Sequence, residues 1–183
     1  MATIPTPFPS AWLTFVGVLD LQIARTLVAE FTNAITAGVQ RVHLLIQSPG
    51  GNVNEGVFLF NHLSSLPIEV ITYNSGHVGS AATIAYLGAT KRIATKDATF
   101  LIHRARASAS YAGNADEMAA SAASLQLDDW RMSSIVESRV ALTKRQLKTI
   151  VTTDLVLSCE DAIVAGLVHE IGVFQPEGLL RSV

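Results

Sequence analysis

Ser80 lies in Gly76-His77-Val78-Gly79-Ser80-Ala81-Ala82, between an apolar β-prone run (Ile68 to Tyr73) and a small-residue helical stretch (Ala81 to Leu87). Glycines ahead of a serine permit a sharp turn and close approach of a substrate. A helix opening just after it offers free N–H groups and a positive dipole end to a developing negative charge. Read alone, the serine is an N-cap; read with other residues of the chain, it is a candidate nucleophile. Ser48-Pro49-Gly50-Gly51 follows a short buried-type strand, where ligands of open α/β sheets bind and where paired glycines let a backbone N–H face a cleft. His103 ends the apolar run Phe100-Leu101-Ile102, a position suited to a partly desolvated general base. Asp154, in Thr152-Thr153-Asp154-Leu155, supplies a carboxylate of the kind that orients a histidine and stabilises its imidazolium. His77 lies in the turn next to Ser80 and is expected to line the site; His43 and His169 fall in predicted strands and His62 on a predicted helix.

The elements that must position these residues read as an α/β chain. Trp12 to Val16 is β-prone, and Asp20 caps a helix with Leu21, Ala24, Leu27, Val28, Phe31 and Ile35 on one face, ending at Gly38. Val42 to Ile46 is a continuous apolar run typical of a parallel sheet. Asn54 opens the next helix, with Val57, Phe60 and Leu63 at core spacing, and Pro67 breaks it before the strand Ile68 to Tyr73. The Ser80 helix ends near Gly88, and Arg92 to Ala94 and Thr99 to Ile102 are two short strands. The order β-α-β-α-β-α-β-β implies crossover connections. Ala115 to Val140 is a long Ala-rich helical pattern, on the order of 40 Å at ~1.5 Å per residue. That length exceeds what one small domain covers, so the helix is expected to project. Thr143 with Gln146 and Ser158 with Asp161 have capping spacing for two further helices, and Leu167 to Ile171 reads as the last strand.

Composition narrows the function classes. The 183 residues are 49% apolar and only 15% charged, which suggests that other copies of the chain cover some apolar surface. A net charge of −2 without a Lys/Arg cluster gives no footprint for nucleic acid. The single cysteine, Cys159, excludes an internal disulfide and a cysteine-rich zinc site, and no histidine pair has helical metal spacing. The first basic residue is Arg25, which argues against a secretory leader. Val70 to Thr90 lacks charged residues, but polar and turn residues interrupt it, so a buried strand–turn–helix is expected rather than a membrane span. A cytoplasmic protein without cofactor, nucleic-acid partner or membrane contact is the expectation.

Taken in order, Ser48-Pro-Gly-Gly51, the Gly76 to Ala82 turn, Phe100-Leu-Ile-His103, and Asp154-Leu-Val-Leu-Ser158 with Asp161-Ala162 and Ala165-Gly166-Leu167-Val168 resemble the proteolytic subunit of Clp protease. The resemblance runs from about Trp12 to Gly172. It implies a crotonase-like/Clp protease fold of repeated β-α-β units with a projecting handle helix, in a single domain over 12–175. An extended arm over 1–11, rich in proline, would precede that domain, and a tail over 176–183 would follow. It implies Ser80 as nucleophile, His103 as general base, Asp154 as its orienting carboxylate, and the N–H groups of Gly51 and Ala81 as oxyanion hole. Gly50, His77, Gly79 and Arg104 would contact substrate. The handle region, about 105–140, would join two seven-membered rings into a tetradecamer, its irregular segment 105–113 holding extended peptide by strand addition. The resemblance also points to an ATP-driven unfoldase as partner; the chain has no Gly-x-x-x-x-Gly-Lys-Ser/Thr loop and so no evident ATPase of its own.

The chain departs from that pattern in places. The arm before Trp12 is short, Leu155 follows the aspartate where the family often has Arg, and Ala81 follows the serine where Met is usual. His43 and Leu45 occupy strand positions that in the family are aromatic and form the unfoldase-docking cleft. These departures leave the Ser–His–Asp set intact but bear on unfoldase partnership and ring coupling. Two rival functions follow: a latent or non-proteolytic subunit with a structural or regulatory role, and acyl-CoA chemistry on the shared crotonase-like fold. The retained Ser80, His103 and Asp154 argue against both.

Overall fold

The computed structural model describes residues 9–107, 113–177 and 180–183. Most of the expected N-terminal arm, and the middle of the segment 105–113, lie outside the described residues. The chain opens with β1 (Ser10–Val16), α1 (Leu21–Thr36), β2 (Arg41–Gln47), α2 (Val53–Ser65) and β3 (Glu69–Asn74). It continues with β4 (His77–Gly79), α3 (Ala81–Tyr86), β5 (Lys91–Ala94), β6 (Thr99–Ile102) and α4 (Ala115–Arg139). The last elements are α5 (Lys144–Thr152), β7 (Leu155–Ser158), α6 (Cys159–Val164), β8 (Glu170–Ile171) and β9 (Leu180–Ser182).

Two sheets result. The larger has the order β8-β5-β3-β2-β1-β9, and every pairing in it is parallel. Parallel pairing demands crossovers, and α1 and α2 supply them between β1, β2 and β3. The smaller sheet is β4-β6-β7, parallel between β4 and β6 and antiparallel between β6 and β7. A single bridge, Ser48 to Val78, links the end of β2 to β4. The core fills the space between the sheets and helices: Phe15, Leu27, Phe31, Leu44, Tyr86 and Phe100 are all buried.

Local signals explain most element ends. Asp20 accepts from the Ile23 N–H at 2.9 Å and caps α1, whose buried stripe is Ala24, Leu27, Phe31 and Ala34. Leu21, placed on that stripe by spacing, is exposed instead, because it is the first residue of the helix and precedes the first packed turn. Asn52, not Asn54, caps α2 through the Asn54 N–H. Asn114 with Glu117 and Thr143 with Gln146 form full capping boxes on α4 and α5.

Three expectations need correction. Residues 77–79 are strand, where the sequence suggested only turn, because Val78 and its neighbours pair with β6. Leu155–Ser158, to which the sequence reading assigns no element, is strand, with Leu155 and Leu157 facing the core. The strand expected over Leu167 to Ile171 is only Glu170–Ile171, and it is not the last, since Leu180–Ser182 pairs with β1 beyond it; Leu167 and Val168 are buried in the turn that Arg92 braces. The Arg92 guanidinium, itself buried, donates to the carbonyls of Leu167 at 2.7 Å, Gly166 at 2.9 Å and Ala89 at 3.3 Å.

The helix α4 has 25 residues and buries only Met132 and Val136, both in its C-terminal half. Trp130, Leu127 and Met118 stay exposed along it. Its N-terminal half thus projects from the domain, as its length required.

An aromatic group joins β1, β2, β3 and the C-terminal segment. His43 stacks on Trp12 with ring centroids 3.8 Å apart and planes within 9°, and its Nδ1 is 2.8 Å from the Tyr73 hydroxyl. Phe174 meets Trp12 and Tyr73 edge-on. Burial, aided by the Arg41 guanidinium and opposed by Glu69, lowers the His43 pKa to about 4. In the unfolded chain the ring binds a proton below about 6.5. Between these values the unfolded state holds the extra proton, so folding stability falls as pH drops from about 6.5 to about 4. The variant His43→Phe keeps the stacking without the titration. Its melting temperature should decline less than the parent's over that pH range, with a residual slope from His62 and His169, which burial also lowers. Parallel melting curves against pH would contradict the assignment.

Candidate active site

The small sheet places the three chemistry-bearing residues. β4 ends at Gly79 and Ser80 follows; β6 ends at Ile102 and His103 follows; Asp154 immediately precedes β7. Gly79 pairs with Leu101 across the parallel pair, and the Ser80 N–H continues the ladder to the Leu101 carbonyl at 2.8 Å. Ile102 pairs with Leu155 across the antiparallel pair, so His103 and Asp154 are the next residues out on adjacent strands. Residues separated by up to 74 positions thereby arrive at one end of a three-stranded sheet.

Ser80 is not the ordinary helix cap that its position suggests. Its φ of 54° and ψ of −129° make it the one non-glycine residue with positive φ among the described residues. Its side chain makes no capping hydrogen bond to α3. A residue held in that backbone region costs about 1–3 kcal/mol and persists only where its surroundings impose it. Those surroundings are specific. Thr83 Oγ1 ties α3 to both β4 and β6 through the carbonyls of Val78 at 3.1 Å and Leu101 at 3.2 Å. Asn74 donates to the Thr99 carbonyl and accepts from the Gly76 N–H, both at 2.9 Å, so β3 holds the turn into β4.

The Ser48-Pro49-Gly50-Gly51 turn is braced against the same strand. Ser48 N–H donates to the His77 carbonyl at 3.0 Å, Gly79 N–H donates to the Ser48 carbonyl at 2.9 Å, and Gly50 N–H donates to Ser48 Oγ at 3.1 Å. Gly50 has φ 111°, and a Cβ there would sit 2.6 Å from the Ser80 Cβ. Glycine is therefore required by conformation and by contact with the serine. Gly51 is held by Leu19: the Leu19 N–H donates to the Gly50 carbonyl at 2.8 Å, and the Leu19 carbonyl accepts from the Asn52 N–H at 2.9 Å. That arrangement turns the Gly51 N–H away from Leu19, and among the described residues neither it nor the Ala81 N–H is spent on a backbone hydrogen bond.

His103 borders a cavity of about 230 Å³ walled by Ile102, Met132, Val136, Leu147 and Ile150, with Glu137 and Ser133 also at its surface. Its Nδ1 is buried and has no hydrogen-bond partner. The Asp154 carboxylate is engaged elsewhere: Oδ1 accepts from Arg106 Nη2. Arg104 is drawn to α4, where its Nε donates to Asp129 Oδ2 at 2.7 Å, and the Ala105 N–H donates to Asp129 Oδ1 at 2.6 Å. His77 Nδ1 pairs with Thr99 Oγ1 at 3.0 Å. The structure thus gathers Ser80, His103, Asp154, Gly50, Gly51 and Ala81 around one sheet end. His77 and Gly79 lie in the strand that leads there, and Arg104 is held by Asp129. Among the described residues no group of three or more His, Cys, Asp and Glu is placed to hold a metal, and no helix is long and apolar enough to cross a membrane.

Leu19, Ser48 Oγ, Asp129 and Arg106 were not visible as site residues in the sequence. Each acts through a partner distant in the chain or through its backbone, and none carries a spacing signal. Arg106 and Asp129 lie on either side of residues 108–112, and the partners they hold, Asp154 and Arg104, are 48 and 25 positions away.

An α/β chain with a serine on a strained strand-to-helix turn, backed by a glycine pair and a strand-end histidine, has the architecture of a hydrolase built on crotonase-like layers. The chain belongs to the Clp protease family, whose model, described as Clp protease, matches residues 11–175. It is 25% identical over 163 residues to the ATP-dependent Clp protease proteolytic subunit 2 of Pseudomonas aeruginosa, covering 88% of this chain and 80% of that one. It is 26% identical over 156 residues to subunit 2 of Corynebacterium glutamicum, covering 84% and 77%. Among solved structures, a ClpP1 mutant from Listeria monocytogenes superposes with a TM-score of 0.77 at 20% identity, over 88% of this chain and 90% of that one, which supports the fold.

The strain at Ser80 yields a prediction that needs no assay of activity. Ser80→Gly removes the conformational penalty of about 1–3 kcal/mol, less the extra unfolded-state freedom of glycine, roughly 0.5–1 kcal/mol. Ser80→Gly should therefore unfold at higher urea than Ser80→Ala, which keeps its Cβ and the strain. Equal midpoints for the two variants would show that the turn is unstrained.

Proposed function

We propose that this chain is a serine endopeptidase. The observation that carries the reading is the convergence of Ser80, in its positive-φ turn, with His103 and Asp154 at one end of the β4-β6-β7 sheet. In this mechanism His103 takes the proton from Ser80 Oγ as the oxygen attacks the peptide carbonyl. The N–H groups of Gly51 and Ala81 receive the negative charge of the tetrahedral intermediate, a contribution worth about 3 kcal/mol per donor in enzymes of this kind. The imidazolium returns its proton to the leaving amine, and water then releases the acyl-enzyme by the same route. Asp154 orients His103 and stabilises its cation. Metal and organic cofactors have no step to perform in it.

Substrates are unfolded proteins or peptides, bound in extended form beside the segment after His103, with Gly50, His77, Gly79 and Arg104 lining the approach. Exposed Trp130, Leu127 and Val164 support self-association into rings, as a heptamer or as a tetradecamer that encloses the sites in a chamber in the cytoplasm. The relatives are named ATP-dependent. An ATP-driven unfoldase would supply that dependence here.

A second reading is a latent subunit that acts structurally or by regulation. One observation favours it: Asp154 is bound by Arg106 while His103 Nδ1 stands unpartnered. The two readings separate on labelling with a fluorophosphonate probe, followed by intact mass. The peptidase reading predicts one adduct per chain, lost in Ser80→Ala and strongly reduced in His103→Ala. An oligomeric parent that takes no adduct supports the latent subunit.

A further inference from the structure

Asp154 is one carboxylate with two claimants. The sheet register sets it beside His103, whose buried Nδ1 lacks a partner. Yet Oδ1 is held by Arg106 Nη2. A buried, unpaired polar atom is unfavourable, and a neutral imidazole carries one N–H that a carboxylate would satisfy. The guanidinium wins because it is a full charge with fixed planar donors, which bind carboxylate more strongly than a neutral N–H does.

Arg106 is also steered towards this contact. Asp129 on α4 fixes the Arg104 side chain and the Ala105 N–H, so the backbone is anchored one residue before Arg106. The arginine side chain is 63% exposed, and Asp154 is 32% exposed. The pair therefore lies open to solvent, where an ion pair contributes little to folding and can exchange partners.

We propose that Arg106 is a latch on the catalytic carboxylate. While Arg106 holds Asp154, the imidazole lacks the partner that fixes its tautomer and orientation, and turnover is slow. When Arg106 lets go, Asp154 closes on His103 Nδ1 and the triad is complete. Arg106 touches neither substrate nor reacting atoms in this scheme; it is a positioning residue that acts through Asp154. The inference rests on the reading of Ser80, His103 and Asp154 as a triad.

The test is Arg106→Ala in the full-length, assembled protein, with Arg106→Lys beside it. Melting temperature and oligomer size should match the parent, because the lost ion pair is exposed. The orienting carboxylate of a serine triad is worth several powers of ten in kcat, so its release should raise the rate of fluorophosphonate labelling at Ser80 by at least about ten-fold. Turnover of a fluorogenic peptide should rise through kcat with little change in KM. Arg106→Lys, which keeps the charge without the planar fork, should fall between the two. A crystal structure of Arg106→Ala should place the Asp154 carboxylate on His103 Nδ1. Labelling of Arg106→Ala at or below the parent's rate overturns the latch. If neither parent nor variant labels, the nucleophile reading fails, and the crystal structure still decides this inference: Asp154 on His103 retains the latch as a conformational device, and Asp154 elsewhere ends it.

Discussion

The register of the β4-β6-β7 sheet is the constraint on which the candidate site depends. Three short strands, none longer than four residues, bring the serine, the histidine and the aspartate to the same end. A slip of one residue between β6 and β7 would face Leu155 and Leu157 away from the core and carry Asp154 out of line with His103. The alternation of buried and exposed residues in Leu155–Ser158 prevents that slip, since Leu157 and Leu155 are buried while Val156 and Ser158 are not. Packing therefore fixes chemistry: the same side chains that fill the core set which residues meet beyond the strand ends.

The larger parallel sheet serves as the foundation. Asn74 at the end of β3 and Ser48 after β2 reach across to the small sheet by hydrogen bonds, so the Ser80 turn is pinned from two directions. Gly50 lies against Ser80, and Gly56 of α2 lies against Ala81, where a Cβ would come within 2.5 Å of the Ala81 carbonyl oxygen. Glycines at these places permit backbone-to-backbone contact that keeps α3 close to the Pro-Gly-Gly turn. The strained φ of Ser80 is sustained by this bracing, without a capping hydrogen bond from its own side chain.

Much of this was legible in the sequence. The α/β order, the caps at Thr143 and Ser158 and the projecting helix follow from periodicity and turn chemistry, and the candidate site residues were marked by motif spacing. What escaped has a common physical character. β4 and β7 are too short for periodicity to mark, and they exist because a neighbouring strand completes their hydrogen bonds. Leu19 frames Gly51 through main-chain atoms, which any residue type carries. The Arg106–Asp154 pair and the Asp129 anchor join residues far apart in the chain on a surface where charges are expected in any case. Sequence pattern reports faces of elements; it does not report which exposed cation meets which carboxylate.

The central claim is that Ser80 is a nucleophile whose oxyanion is received by two backbone N–H groups at the meeting of the Pro-Gly-Gly turn and α3. A crystal structure of the assembled protein treated with a peptide boronic acid tests it most directly. A tetrahedral boronate bonded to Ser80 Oγ is expected, with one boronate oxygen within hydrogen-bond distance of the Gly51 and Ala81 N–H groups. An unmodified Ser80 at saturating inhibitor, or an adduct whose oxygens face away from both N–H groups, would contradict it.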